Sequence, residues 1–456
     1  MSIKNLSNVI INKGLCMSVD STIVTKHKNI ARMVYMSVVA DQKKKYGMIW
    51  AIKKLVIVKY FNLLSWLILL PLAIPMHYLG FRRLLIRIEH IGHLTLECDS
   101  FIKEKRLGLL PKNKRFYFIL APKSTLSNPH LLSYWNEHFT FITNPVACVF
   151  LGALTRKYFM RYDVSRYVSA FFGTQDIYRI NQLWGTTPPL LSLTDEDESW
   201  GKQQLNPLGI LPGQWFVCLH VREGGFLPDN ELIQLHRNAS IANTYLAIEE
   251  IVRRGGIVVR MGDASMSVLP KMQGVIDYAH HPLKSDRLDV ILCAKARFFL
   301  GCTSGLAFLS MVFGVPVAHA NMIPVETLGI SANDISIPKL VFDEGKQRIL
   351  NFKELFSSDV GGFFFTHQYK ETNMTCIENT ADEILNLAQE ILDRLDGLFI
   401  ENEEDKQLHE AYMSLFKPGH FSYGAVSRIG IAFLRKHKHL LFSNHSIESR
   451  NAFCQE

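Results

Sequence analysis

The sequence predicts an α/β protein of two Rossmann-like domains facing a cleft, preceded by a hydrophobic segment that associates with membrane. Three observations predict it. Short apolar runs bounded by Gly and Pro alternate with runs of helical period, the pattern of βαβ units and parallel, doubly wound sheets. Two of the apolar runs end in residues suited to phosphate, His220-Val221-Arg222 and Gly301-Cys302-Thr303-Ser304-Gly305. The length, 456 residues, exceeds what one hydrophobic core organises, so more than one domain is expected.

The predicted order is a basic arm (1–45), a membrane-associating segment (46–81), an acceptor-binding Rossmann-like domain (82–200), a donor-binding one (201–397) and a C-terminal helical tail packing back (398–456). Residues 1–60 carry eleven Lys or Arg against Asp20 and Asp41, leaving 39 basic and 40 acidic residues in the remainder. The net charge of +8 therefore belongs to the N-terminal segment. That argues against a nucleic-acid groove on the main body and for an arm meeting an anionic membrane surface. Tyr60 to Phe81 is uncharged and long enough to span a bilayer. Pro71 and Pro75 are expected to break or kink it, and basic flanks on both sides favour an interfacial or re-entrant arrangement on the cytoplasmic face of the inner membrane. A span and a buried hairpin remain as alternatives. Hydrophobic content of 48% and charged content of 20% exclude disorder as the main state. Eight cysteines without CxxC spacing, mostly in apolar runs, point to a reducing compartment.

In the first domain, Leu84 to Ile88 reads as a strand broken at His90-Ile91-Gly92-His93, a Gly-containing loop where open α/β sheets place ligands. Arg115 to Leu120 is a second strand, and Ser127-Asn128-Pro129 starts a helix. His90 and His93 are candidates for the acceptor side; a metal reading lacks further ligands in suitable spacing. Asp195-Glu196-Asp197 has a DxD form, but its polar, Gly- and Pro-bearing surroundings read as a solvated interdomain linker.

In the second domain Phe216 to Val221, Ile257 to Met261, Arg297 to Leu300 and Val315 to Ala318 read as strands, with helices before Gly255 and after Gly305. The turn at Thr303, Ser304 and Gly305 opens a helix whose N-H donors and small residues admit a diphosphate, and Arg222 supplies a guanidinium fork. A structural ion pair at His220 and Arg222, and a plain helix cap at the turn, are the competing readings. Thr380 begins a capped helix whose acidic residues read as a solvated face, and the basic SRIGIAFLRKHKHLLF segment as a helix packing back on the first domain.

The HVR at a strand end, the strand ending in Gly262-Asp263, Asp277 in VIDYAH and FFLGCTSG before FGVPVAHAN resemble the fucosyltransferase-like group of GT-B glycosyltransferases. IGHL, RGGIVVRMGD and LDVILCAKARFFLGCTSG look more closely like a bacterial glycosyltransferase family of that superfamily. The resemblance covers residue 82 onward. It implies that Arg222 holds the donor's β-phosphate and that Asp263, Thr303, Ser304 and Gly305 help hold the nucleotide, with His220 and Gly262 beside them. Glu223 stands where those enzymes usually carry a basic residue, which leaves the donor open. Glu223 and His93 are the candidate catalytic bases, and His90, Gly92 and His93 form the acceptor side.

The expected activity is transfer of a sugar from a nucleotide-diphosphate donor to a hydroxyl of a glycan or lipid-linked acceptor, in bacterial surface-glycan synthesis, without metal or other cofactor. A sugar-nucleotide epimerase, a non-catalytic nucleotide-binding protein and a metal-dependent hydrolase built on His90, His93, His280 and His281 remain as alternatives.

Overall fold

The computed structural model describes residues 68–111, 115–156, 158–168, 175–225 and 233–442. The expected basic arm, the membrane-associating segment up to residue 67, Cys16 and Cys454 lie outside the described residues. The chain divides into two units, Met1–Ile74 and Pro75–Glu456. Residues 68–78, with Pro71 and Pro75 among them, are helical, and no helix among the described residues is long and apolar enough to cross a membrane.

The second unit is mixed α/β with two fully parallel sheets. The first holds β1 (Phe81–Leu84), β2 (Phe116–Leu120), β3 (Thr140–Ile142) and β4 (Arg161–Tyr162) in the order β3-β2-β1-β4. The second holds β5 (Phe216–His220), β6 (Ile257–Arg260), β7 (Val275–Ile276), β8 (Phe299–Gly301), β9 (Val317–Met322), β10 (Ile335–Pro338) and, at its edge, β14 (Arg428–Ile429). Its order is β14-β10-β9-β8-β5-β6-β7. A small antiparallel sheet of β11 (Leu340–Asp343), β12 (Arg348–Ile349) and β13 (Met374–Ile377) is appended. The run β5-β6-β7 winds one way and β8-β9-β10 the other, so the second sheet reverses direction between β5 and β8. In open parallel sheets that reversal leaves a crevice at the carboxyl ends of the two strands.

The helices are α1 (Ile91–Arg106), α2 (Pro129–Trp135), α3 (Pro145–Leu154), α4 (Gln175–Trp184), α5 (Asp195–Leu208), α6 (Tyr245–Arg253), α7 (Asp286–Lys295) and α8 (Gly305–Val312). Beyond them lie α9 (Phe352–Ser357), α10 (Thr366–Glu371), α11 (Ala381–Leu395), α12 (Glu403–Met413), α13 (Ile431–Lys436) and α14 (Lys438–Phe442). The two sheets share one apolar core: Leu84 and Ile119 of the first sheet and Leu94 and Phe101 of α1 belong to the same buried cluster as Cys218, Val259 and Phe299 of the second sheet and Leu292 of α7. Helix α1 packs along α8 at the centre of this shared core.

Four expectations are corrected. The first strand is Phe81–Leu84 rather than Leu84 to Ile88: parallel pairing begins at Phe81 opposite Phe116, and beyond Leu84 the chain leaves the sheet to bury Ile86 and Ile88. The acidic "linker" is the first turn of α5. Thr194 caps it, accepting from the Asp197 N-H at 3.1 Å, and its carboxylates answer the partial positive charge of the helix end. Asp197 is buried, bound by His130 at 2.7 Å, Arg287 at 2.7 Å and the Tyr134 hydroxyl, so it ties α5 to α2 and α7. The acidic residues of α11 are not all solvated. Glu383 is buried against His437 at 2.7 Å and Lys436 at 2.9 Å, and Glu390 receives the Ile431 N-H at 2.7 Å. Those partners come from the C-terminal segment, which adds β14 to the second sheet and buries Ile431, Phe433 and Leu434 in that half's core rather than against the first sheet.

Candidate functional site

The carboxyl ends of β5 and β8 are aligned, His220 opposite Gly301. They are locked together beyond the sheet by the Cys302 N-H on the His220 carbonyl at 3.2 Å and the Arg222 N-H on Cys302 Sγ at 3.1 Å. A Cβ on Gly301 would lie 2.2 Å from the His220 carbonyl oxygen, so only glycine lets the strand ends run this close. The two sequence signals, HVR and GCTSG, therefore meet at the reversal point of the second sheet.

Ser304 is the N-cap of α8, its Oγ accepting from the Ala307 N-H at 3.3 Å. The Thr303 hydroxyl is turned inward, toward the Ile323 carbonyl at 3.3 Å and Met322 Sδ at 3.2 Å. Both hydroxyls are thus engaged in the fold. What the turn offers a ligand is the pair of first-turn N-H groups on Gly305 and Leu306, which have no intrahelical acceptor.

Helix α1 brings a second N-terminus to the same place. Its N-cap, His90, makes no side-chain cap, and its first turn has no acidic residue. A Cβ on Gly305 would sit 2.7 Å from Ile91 Cγ2 and 2.8 Å from the Gly92 nitrogen, and one on Gly92 would sit 2.9 Å from the Gly305 Cα. The glycines of IGHL and TSG touch backbone to backbone, so the predicted acceptor side and donor side adjoin.

Around this junction the charge is positive. Arg222 donates through Nη1 to the Gln234 carbonyl at 2.9 Å. Arg237 donates to the Thr303 carbonyl at 2.8 Å and to Gln234 Oε1 at 2.9 Å, and its Nε is buried without a hydrogen-bond partner. Burial, then the neighbouring Arg222 guanidinium, pulls the Arg237 pKa down to about 10. Lys339 is buried, donates to the Asn238 carbonyl at 2.7 Å and is also lowered by burial. Among the described residues no carboxylate lies within ion-pair distance of Arg237 or Lys339. Burial lowers the His90 pKa, with His93 and Arg237 adding repulsion. It also holds the His220 pKa at about 4, with Arg260 the next cause, so His220 is neutral at physiological pH.

The acidic candidate is spoken for. Glu223 accepts from buried Arg260 at 3.0 Å and from the Ser267 N-H at 2.9 Å. Although burial acts to raise its pKa, these bonds outweigh it and hold the carboxyl below its ordinary value. Arg260 bridges on to Asp277 at 2.9 Å, so Glu223 and Asp277 neutralise a buried cation. Gly262 has φ +147°, and a Cβ there would strike Met266 Sδ at 2.0 Å; Asp263 caps the following turn through the Ser265 N-H at 2.8 Å. Both shape the loop that carries Ser267 to Glu223.

The other base candidate, His93, lies half-buried in the first turn of α1, with Nδ1 2.5 Å from Glu97 Oε1 one turn on. Glu97 is 2% exposed, and burial pushes its pKa up. Donation of Nδ1-H to Glu97 leaves the Nε2 lone pair for another partner. His280 contacts the Met266 carbonyl at 3.0 Å and His281 Nδ1 accepts from the Leu283 N-H at 3.2 Å. Among the described residues no three His, Cys, Asp or Glu side chains gather as a metal site. The described cysteines are free.

Sequence reasoning missed Arg237, Lys339 and Glu97. Glu97 had a signal, its i,i+4 spacing from His93; Arg237 and Lys339 had none.

No protein-family model matches the chain, and no curated protein matches it. Among solved structures, E. coli ADP-heptose lipopolysaccharide heptosyltransferase II overlaps 52% of this chain and 83% of its own at 14% identity and TM-score 0.34. A family 9 glycosyltransferase from Veillonella parvula overlaps 48% and 59% at 13% identity and TM-score 0.25. The iron-containing dodecameric glycosyltransferase TibC from enterotoxigenic E. coli overlaps 70% and 78% at 11% identity and TM-score 0.33. TM-scores of this size mark partial backbone overlap and carry no information on activity.

Proposed function

We propose that the chain is a glycosyltransferase that moves a sugar from a nucleotide-diphosphate donor to an acceptor hydroxyl. The observation that carries the reading is Arg237, a guanidinium with a buried, unpartnered nitrogen beside Arg222 at the reversal point of a Rossmann-like sheet, under a helix N-terminus. A buried cation without a counter-ion is costly, and a bound anion removes the cost. The diphosphate is placed against Arg222, Arg237 and the Gly305 and Leu306 N-H groups, where charge develops as the sugar-phosphate bond breaks.

His93, rather than Glu223, is assigned as the base. A carboxylate held by Arg260 and Ser267 is a poor proton acceptor, whereas a histidine oriented by a buried carboxylate presents Nε2 in a fixed direction. In the proposed step the acceptor oxygen bonds to the anomeric carbon, the carbon-phosphate oxygen bond breaks with its electron pair passing to the diphosphate, and the acceptor proton moves to His93. The first-sheet side, around His90 and Gly92, receives the acceptor. A glycan or lipid-linked acceptor at the cytoplasmic face of a bacterial membrane, and catalysis without metal, belong to the same proposal.

The test is product formation from a panel of UDP-, GDP-, CDP- and ADP-sugars with a mixed hydroxyl-acceptor pool. Nucleoside-diphosphate release that requires acceptor and is lost in His93→Ala supports transfer. Acceptor-independent isomerisation of the donor would instead assign an epimerase, and nucleotide binding without turnover a sensing role.

A further inference from the structure

Helix α3 breaks the rule that an entirely apolar helix is buried. Its ten residues, Pro145–Leu154, carry no charged side chain and no hydroxyl or amide, yet Val146, Val149 and Phe150 are 76%, 75% and 47% exposed. They lie at i, i+3 and i+4, one face; the opposite face, Cys148 and Leu151, packs on Phe118, Leu120 and Phe81. The exposed face continues onto neighbouring elements. Phe116, 44% exposed, meets the Phe81 ring at 5.1 Å in a tilted contact, and Tyr78 and Leu79 are 84% and 72% exposed immediately before β1. The His77 ring meets the Phe159 ring at 5.2 Å and its Nδ1 lies 2.9 Å from the Phe159 carbonyl, in the segment that follows α3.

The rim at the end of α3 is basic. Arg161 donates to the Thr155 carbonyl at 2.8 Å, at the end of α3, beside Arg156 and Arg83. Burial and the neighbouring arginines lower Arg83 and Arg161, and among the described residues none of these three is bridged to an acid. Arg83 Nε is buried without a partner. A protein interface would be expected to pair some of these charges with carboxylates, whereas an apolar face ringed by unpaired arginines matches acyl chains bordered by phosphate headgroups.

We infer that the outer face of α3, with Val146, Val149 and Phe150 as its apolar contact and the surrounding arginines as its rim, seats the folded α/β unit on an anionic lipid bilayer. This surface is separate from the strand-end site, and it holds whether or not the chain transfers sugar. An enzyme seated this way meets a lipid-linked acceptor at the bilayer surface.

The test uses the full chain and two vesicle types, neutral phosphatidylcholine and a mixture with phosphatidylglycerol. Hydrogen exchange should show residues 145–154 protected by the anionic vesicles and much less by the neutral ones. The triple variant Val146→Ser, Val149→Ser, Phe150→Ser should partition about tenfold or more weakly, and Arg156→Gln should weaken partitioning to the anionic vesicles only. Unchanged melting temperature in the variants confirms that they fold. Binding of the full chain with no protection at 145–154 would overturn the inference, as would a self-association by light scattering that the triple variant abolishes while vesicle binding is unaltered.

Discussion

The two halves of the second unit differ in how completely their inward-facing charges are answered. Around the first sheet, α1 sinks three carboxylates into the core, Glu97, Asp99 and Glu104, each with a basic partner: His93 at 2.5 Å, Lys103 at 2.8 Å and Arg166 at 2.5 Å. Around the second sheet buried carboxylates such as Glu383 and Glu390 are likewise paired, and buried Arg260 is answered by Glu223 and Asp277, but Lys339 and the partly buried Arg237 bind only carbonyl oxygens. A satisfied buried pair is a structural device, while a buried cation resting only on carbonyl dipoles leaves a positive potential for something else to neutralise. In the proposed reading the first-sheet half, with the His93-Glu97 pair, supplies the base, and the half with uncompensated guanidinium charge holds the anionic leaving group.

The sharpest break in that comparison is at the dyad. His93→Ala is expected to lower kcat by ~10²–10⁴, the usual worth of a positioned general base. Glu97→Gln should lower kcat less than His93→Ala and leave the donor KM unchanged, because the amide still holds the ring. A fall in kcat accompanied by a raised KM and a lowered melting temperature would reduce Glu97 to a packing role.

The junction between the halves comes next. Gly305→Ala places a methyl 2.8 Å from the Gly92 nitrogen, where backbone cannot yield as a side chain would. It should cost ~1–3 kcal/mol in stability, read as a lowered denaturation midpoint, and weaken donor and acceptor binding together. An unaltered midpoint would mean that the two helix ends are not held in contact.

The smallest effect is the pH dependence of the second-sheet half. His319 on β9 is buried, both ring nitrogens lack partners, and burial pulls its pKa from 6.5 to about 3. A histidine depressed in the folded state leaves stability intact above its unfolded pKa. That stability is lost as pH falls from 6.5 toward 3, because the unfolded chain takes the proton first. Between pH 7 and pH 5.5 the loss should be about 1 kcal/mol for this one group, and His319→Gln should flatten the slope in urea titrations. An identical slope in the variant would place the ring in a wetter environment than its burial implies.

Much of this was legible beforehand, because local rules and global fold agree there. Alternating apolar runs gave the parallel sheets, and the Ser304 cap and the 301–305 glycines marked the strand-to-helix turn. Asn128 read correctly as the start of α2, accepting from the Leu131 N-H at 2.8 Å. What escaped was set by tertiary packing. Asp197 has the sequence surroundings of a solvated run, and only its meeting with His130, Tyr134 and Arg287 buries it. Glu223 looked like a base because Arg260, which neutralises it, lies 37 residues on in a strand. Arg237 follows Ile233-Gln234-Leu235-His236, which carries no ligand motif, and its place beside Thr303 depends on a contact across 66 residues.

The most direct measurement of the central claim is calorimetric titration of nucleoside diphosphates against the wild-type chain and Arg237→Met, which keeps the side chain's length and removes its charge. The account predicts that one or more diphosphates bind the wild type, that the matching monophosphate binds more weakly, and that Arg237→Met loses ~10–100-fold in affinity for the diphosphate, the worth of one charged hydrogen bond. Equal affinity of both proteins for the diphosphate, or no binding of any nucleotide to a folded wild type, would contradict it.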